Sequence, residues 1–216
     1  MNTKLIIFDL DGTLLNTIGD LAAAMNAVLA QHQLSQHTYE EYTQMVGNGI
    51  RLLVERALPE TMRDPETVET MRLEFVDYYT QHIDIHTKPY EGTVELLREL
   101  NQRGIRMGVA SNKFQSGTEQ LVGEFFGDIP FVAVLGQRPN IPLKPDPAIA
   151  EEIIRKAGVE KSETLYVGDS GVDMQTATAA GLRKVGCTWG FRTREELAAQ
   201  GADHLIDRAE ELLALV

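Results

Sequence analysis

The stretch Leu5-Ile6-Ile7-Phe8-Asp9-Leu10-Asp11-Gly12-Thr13-Leu14 sets an unbroken apolar run directly against two carboxylates one residue apart. Four consecutive apolar residues fit a strand buried on both faces, the kind found in parallel sheets covered by helices. Asp9 and Asp11 then leave the carboxyl end of that strand, which is where ligands bind in open α/β sheets. Carboxylates placed there are costly unless compensated, and a divalent cation held by oxygen ligands is the usual compensation. Gly12 permits a tight turn that brings backbone amides and the Thr13 hydroxyl toward an anion. Taken alone, the hexapeptide Asp9 to Leu14 also fits an ordinary strand-to-loop turn.

Working outward, similar short apolar runs recur at Met107 to Ala110, Phe131 to Leu135, Thr164 to Val167 and Lys184 to Cys187. Amphipathic helices lie between them, at Thr93 to Gln102, Pro147 to Ala157 and Met174 to Ala180, ended by Gly104, Gly158 and Gly181. The alternation predicts an α/β fold with a doubly wound, Rossmann-like parallel sheet. From Asp20 to about His86 the periodicity is helical and no strand is evident. The expected organisation is therefore a core of residues 1–15 and 88–216, with a helical cap, residues 16–87, inserted after the first motif. Thr17 and Asp20 read as a capping pair opening the first helix, whose apolar stripe includes Leu21, Met25, Val28 and Leu29. Thr87-Lys88-Pro89-Tyr90-Glu91-Gly92 returns the chain to the core.

A second acidic cluster follows another apolar run, in Thr164-Leu165-Tyr166-Val167-Gly168-Asp169-Ser170-Gly171-Val172-Asp173. If its strand neighbours the first, the two clusters converge on one crevice and make a magnesium site. Asp173 has a competing role as cap of the helix that follows. Between the clusters, Met107 to Lys113 is a strand ending in the hydroxyl of Ser111 and the amide of Asn112. Lys144, before Pro145, sits in a rigid turn from which Pro147 starts a helix. An anionic phosphate approaching an anionic nucleophile needs a metal and a positive lysine to offset the repulsion.

Composition narrows the classes. The chain has 216 residues, enough for one core domain carrying an insert. Twenty basic against 32 acidic side chains give a net charge of −12, which disfavours nucleic acid and anionic lipid as partners. The single cysteine, Cys187, lies in an apolar run and forms no internal disulfide, so a reducing compartment, the cytoplasm, is expected. Only four uncharged residues separate Met1-Asn2-Thr3-Lys4 from Asp9, too few for a signal peptide or a membrane span. His82 and His86 stand four apart with no partner spaced to complete a metal site.

In this order and spacing the motifs resemble the haloacid dehalogenase superfamily of phosphohydrolases: Asp-Leu-Asp-Gly-Thr at Asp9 to Thr13, Ser111, Lys144 before proline, and Gly168-Asp169-Ser170 with Asp173. The resemblance implies that Asp9 is the nucleophile and Asp11 the general acid and base, with Ser111 and Lys144 holding phosphoryl oxygens. It implies a Mg2+ cofactor bound by Asp9, the backbone carbonyl of Asp11 and Asp169, with Asp173 in the outer shell, and a helical cap over the site. Asp11 to Leu21, Val46-Gly47-Asn48-Gly49 and Trp189-Gly190-Phe191-Arg192 look closest to the phosphoglycolate phosphatases. Asn16 departs from the aspartate more common there, and Asn-Thr at this point also occurs in related pyrophosphatases.

The expected partner is a small phosphate ester, with no nucleic acid or membrane, acted on by a monomer or dimer. Thr13 and Asn112 are expected to contact substrate from the core. In the cap, Gly47 and Gly49 allow a tight loop, so that Asn48, Arg51 or the loop amides would pair a carboxylate on the leaving group. A helix cap with a solvated Arg51 is the competing reading. A receiver-type signalling domain would lack the insert and the second acid. A sugar-phosphate mutase and a dehalogenase on the same core remain alternatives, to be separated by phosphate release and metal dependence.

Overall fold

The computed structural model describes residues 3–216; Met1 and Asn2, which open the segment read above as too short for a leader, lie outside the described residues. In chain order, β1 (Leu5–Phe8) and the two-residue β2 (Leu15–Asn16) precede α1 (Ile18–Gln31), α2 (Tyr39–Met45), α3 (Ile50–Ala57) and α4 (Pro65–Gln81). Then come β3 (Lys88–Pro89), α5 (Thr93–Gln102), β4 (Arg106–Phe114), α6 (Gln115–Phe126), β5 (Ala133–Gln137) and α7 (Ala148–Ala157). The chain continues through β6 (Thr164–Gly168), α8 (Gly171–Ala180), β7 (Arg183–Cys187), α9 (Arg194–Ala199) and β8 (His204–Ile206). Among the described residues no helix is long and apolar enough to cross a membrane.

Six strands form one parallel sheet in the order β5-β4-β1-β6-β7-β8, the doubly wound α/β fold that the apolar runs predict. Side chains of a strand alternate between faces, and β1 uses both. Leu5 and Ile7 join Ile149 and Ile153 of α7 and Ala177 of α8, whereas Ile6 and Phe8 join Leu97 of α5 and Leu121 and Phe126 of α6. Each such side chain, removed from water, stabilises the fold by roughly 1.5–3 kcal/mol. A strand flanked on two edges and two faces has no freedom to slip, so the residues that leave its end are placed with the rigidity of the core.

Helices α1 to α4 pack against one another as a layer outside this alternation. The α1 stripe Leu21, Met25, Val28 and Leu29 is buried, as is a matching stripe on α4, Val68, Met71, Phe75 and Tyr79. Thr38 and Glu41 form the capping box of α2, and Asp64 caps α4 with Pro65 at its first position. The chain leaves and re-enters the core through the antiparallel pair β2 and β3, with Leu15 opposite Pro89 and Asn16 opposite Lys88.

The capping pair expected at Thr17 and Asp20 does not form. Thr17 makes no side-chain cap; its hydroxyl donates instead to Asp11 Oδ1 at 2.7 Å. Asp20, 2 % exposed, accepts from His86 N, Thr87 N and Thr87 Oγ1 at 2.9, 2.8 and 2.7 Å. It ties the start of α1 to the segment that leads into the returning strand, where the buried Thr87 amide and hydroxyl need an acceptor. Asp20→Ala would leave them unpaired, at a cost of about 2–4 kcal/mol. A urea unfolding midpoint unchanged from wild type would show that the tie contributes nothing.

Candidate functional site

The sheet order sets β1 between β4 and β6, so the residues leaving the carboxyl ends of these three strands meet. Asp9 and Asp11 follow β1, Ser111, Asn112 and Lys113 occupy the last part of β4, and Asp169 follows β6. Lys144 arrives from the loop after β5, the neighbour of β4. The expectation that the two acidic clusters share one crevice is met by strand adjacency.

Asp9, Asp169 and Asp173 are all buried, and each offers an oxygen within 4.8 Å of the others. Burial, then the charge of Asp173, push the Asp9 carboxyl well above the usual range, against the pull of Lys144. Burial and Asp173 likewise push Asp169 up to about 7, although the Phe191 amide donates to it at 2.8 Å. Three buried carboxyl groups, of which Lys144 pairs with Asp9 and Asp173, are an oxygen donor set short of positive charge, which fits a divalent cation. The Asp11 carboxylate stands outside this group and is paired with Lys113 at 2.9 Å and Thr17 at 2.7 Å.

Lys144 is 4 % exposed and spends its donors on Asp9 Oδ1 at 2.8 Å, Asp173 Oδ1 at 2.7 Å and the Ala110 carbonyl at 2.9 Å. Burial lowers its pKa, but Asp173 and then Asp9 outweigh burial and keep it charged. Asp173 is further held by the Ser170 hydroxyl at 2.6 Å and the Ser170 amide at 3.1 Å. Helix α8 thus opens at Gly171, earlier than expected, with Ser170 as its cap. The cap role left open for Asp173 falls to Ser170, and Asp173 closes the box reciprocally. With its oxygens held by protein donors, Asp173 suits the periphery of a cation site.

Two residues expected to touch substrate hold protein partners in the structure. Thr13 is 1 % exposed and donates to Asp169 Oδ1 at 3.2 Å, so it orients a carboxylate instead of meeting a ligand. The Asn112 amide donates to the carbonyls of Lys144 and Gly47 at 3.1 and 3.0 Å and accepts from Lys144 N at 2.8 Å. It clasps the lysine loop and the α2–α3 loop to β4. Ser111 and Asn112 both line the cavity, the Ser111 oxygen accepting from Lys113 N at 3.1 Å.

Asp9, Asp11, Ser111, Lys113 and Lys144 line a cavity of about 50 Å3 whose opposite wall is Leu21, Val46, Ile50 and Leu53 with the backbone of Gly47 and Gly49. Lys113 was given no role from sequence, yet its Nζ lies 2.9 Å from Asp11 Oδ1 and 2.9 Å from the Tyr79 hydroxyl of α4. Burial lowers its pKa, and Asp11 followed by Tyr79 raise it by more. The readable signal was a lysine at the end of the same strand as Ser111, and an aromatic on the buried stripe of α4.

The α2–α3 loop does border the cavity, but the side chains expected to act there do not enter it. Arg51 is exposed, lies 3.9 Å from Glu69 and borders a separate groove with Arg72 and Arg138. Asn48 Oδ1 accepts from Arg56 at 3.0 Å, because residue 48 and the helix face of residue 56 are brought together by the turn into α3. A residue outside the insert grips the loop instead: Arg192 donates to the carbonyls of Thr43 and, at 2.9 Å, Val46.

Comparison with known proteins places this geometry in context. The model of a family described as haloacid dehalogenase-like hydrolase matches residues 6–187. A phosphoglycolate phosphatase of Pectobacterium atrosepticum is 35% identical over 98% of this chain and 91% of its own. One from Mesorhizobium japonicum is 34% identical over 90% of this chain and 86% of its own. Among solved structures, a protein from Lactobacillus delbrueckii subsp. bulgaricus superposes with a TM-score of 0.92 at 32% identity, covering 98% of this chain and 97% of that one.

Gly12 shows how little slack the site has. Its φ is +91°, and a Cβ built there would overlap the Asp169 carboxylate. Gly12→Ala is therefore expected to cost at least about 1–2 kcal/mol in backbone strain and to displace Asp169. Thermal unfolding and divalent-cation binding, measured together, check this; a variant matching wild type in both would show that the turn has room.

Proposed function

The chain belongs to the haloacid dehalogenase-like hydrolase family and is a phosphoric monoester hydrolase, and we propose that its substrate is 2-phosphoglycolate, attacked by Asp9 with Mg2+ as cofactor. The observation that carries the mechanism is the pairing of Asp9 with Lys144 at 2.8 Å, on a cavity wall beside the three-carboxylate group. The relatives called phosphoglycolate phosphatase align over nearly the full chain, which supports the substrate. A negatively charged chain with one buried thiol fits a cytoplasmic enzyme for a small ester, working as a monomer or dimer.

In the first step an Asp9 carboxylate oxygen attacks phosphorus as the bond from phosphorus to the ester oxygen breaks, and Asp11 gives that oxygen its proton. The product is an aspartyl phosphate on Asp9 and a free alcohol. Asp11, now a base, takes a proton from water, whose oxygen attacks phosphorus and returns Asp9 with inorganic phosphate. Lys144, held beside Asp9, offsets the charge of the phosphoryl oxygens, and the Ser111 hydroxyl holds one of them through both steps. A magnesium ion held by Asp9, Asp169 and the Asp11 carbonyl would neutralise phosphoryl charge. Residues 16–87 act as a cap: Asn112 and Arg192 hold its α2–α3 loop by backbone carbonyls, which closes the cavity against bulk water.

Phosphate release across 2-phosphoglycolate, pyrophosphate, sugar phosphates and an aryl phosphate tests the substrate, with 2-phosphoglycolate expected to show the highest kcat/KM. A preference for pyrophosphate or a sugar phosphate would overturn that choice. Asp9→Asn should keep the fold and lose at least about 10³-fold in turnover, since an amide forms no acyl phosphate. Substantial activity in the folded variant would remove Asp9 from the nucleophile's role. Exhaustive chelation should abolish turnover, with magnesium restoring it and calcium restoring little, because calcium accepts looser coordination; full activity without metal would refute the cofactor.

A further inference from the structure

We propose that Lys113 determines specificity by binding the carboxylate of the substrate's leaving group, an inference that rests on the phosphoglycolate reading. Of the residues lining the cavity only Lys113 and Lys144 are cationic. Lys144 has three donors and three partners, Asp9, Asp173 and the Ala110 carbonyl, and so belongs to the nucleophile's end. Lys113 spends two of its three donors, on Asp11 Oδ1 and the Tyr79 hydroxyl, each at 2.9 Å. A charged group 6 % exposed, with a donor to spare and a cavity beside it, is equipped to take an anion.

Distances select which anion. When Asp11 hands its proton to the ester oxygen, the two oxygens lie about 2.8 Å apart. In a two-carbon acid phosphate the carboxylate oxygens lie roughly 3 Å beyond that ester oxygen, one carbon further along. Lys113 Nζ, 2.9 Å from the same Asp11 carboxylate, is then within reach of the carboxylate by side-chain rotation alone. The facing wall of Leu21, Val46, Ile50 and Leu53 offers a leaving group no competing polar side chain. Helix α3 opens on this wall with Gly49 as its cap and no side-chain cap bond, so its first amides favour the same negative end.

The partner that orients Lys113 comes from the helical insert. Tyr79 lies on α4, is fully buried and stacks on Phe75 at 5.3 Å between ring centroids, so its hydroxyl is fixed only when α4 sits against β4. Recognition of the leaving group is thereby joined to the docking of the insert, and an alkyl phosphate without the carboxylate gains nothing from Lys113.

The test compares kcat/KM for 2-phosphoglycolate and for ethyl phosphate, which has the same heavy-atom chain without the carboxylate oxygens, in wild type and Lys113→Gln. Wild type is expected to prefer 2-phosphoglycolate by at least about 100-fold, and Lys113→Gln to reduce that preference by at least about tenfold, the worth of one hydrogen bond to a charged group. Any loss that Lys113→Gln causes through Asp11 falls on both substrates and cancels in the ratio. A folded Lys113→Gln enzyme with the wild-type preference overturns the inference while leaving the phosphoglycolate reading intact. A wild-type enzyme without the preference overturns that reading, and the inference with it. Should Lys113→Gln fail to fold, Tyr79→Phe, which removes only the orienting hydroxyl, is measured the same way; it should lower the preference severalfold, and an unchanged ratio overturns the inference.

Discussion

Three carboxyl groups with oxygens within 4.8 Å of one another, all buried, repel too strongly to stand as three anions on a single lysine. Removing charge from water is costly, and breaking one member of a buried pair leaves the other uncompensated. The remedy is built in layers. Lys144 bridges Asp9 and Asp173, Thr13 and the Phe191 amide hold Asp169, and Ser170 and Tyr166 hold Asp173. What remains unbalanced is the feature that a divalent cation fits. The parallel sheet makes this possible because β1, flanked by β4 and β6, cannot move to relieve the repulsion.

Closure uses the backbone where the sequence suggested side chains. Asn112 and Arg192 both take carbonyls of residues 43–47, groups present whatever side chains that loop carries. The loop can therefore place glycines against the cavity, where the absence of side chains lets the backbone approach. The cap expected from residues 16–87 shares one continuous apolar cluster with the α5 and α6 face of the sheet, from Leu14 and Leu15 through Leu21 to Tyr79. In the structure the insert is packed onto the core through apolar contact as well as polar clasps.

The sheet was legible because Leu5–Phe8 and its counterparts are short, largely apolar runs that alternate with amphipathic helices, as buried parallel strands do. The pair β2 and β3 was not legible, since two-residue strands carry no period, nor was β8, whose His204-Leu205-Ile206 is short and partly exposed. The carboxylates were legible because isolated charge at a buried strand end demands compensation. Lys113 and Tyr79 were not, because they lie 34 residues apart and their pairing depends on how α4 lands on β4. Asn48 and Arg51 misled for a related reason: the loop was placed correctly, but the turn into α3 gives Asn48 to Arg56 and directs Arg51 outward.

Two lysines lining one small cavity also answer a difficulty raised by the whole protein's charge. A net charge of −12 repels a substrate carrying both phosphate and carboxylate. At physiological ionic strength that repulsion is screened over about 8 Å, so it slows approach more than it weakens the bound state. Inside the cavity screening is lost and the balance reverses, because Lys113 and Lys144 act over a few ångströms in a medium where charge interactions are far stronger than in water. Both lysines are already paired with the acids proposed to do the chemistry, Lys113 with Asp11 and Lys144 with Asp9. A ligand that is anionic at both ends meets each acid together with its own counter-charge, so attraction at the two ends and alignment of the two acids arise from the same pair of contacts.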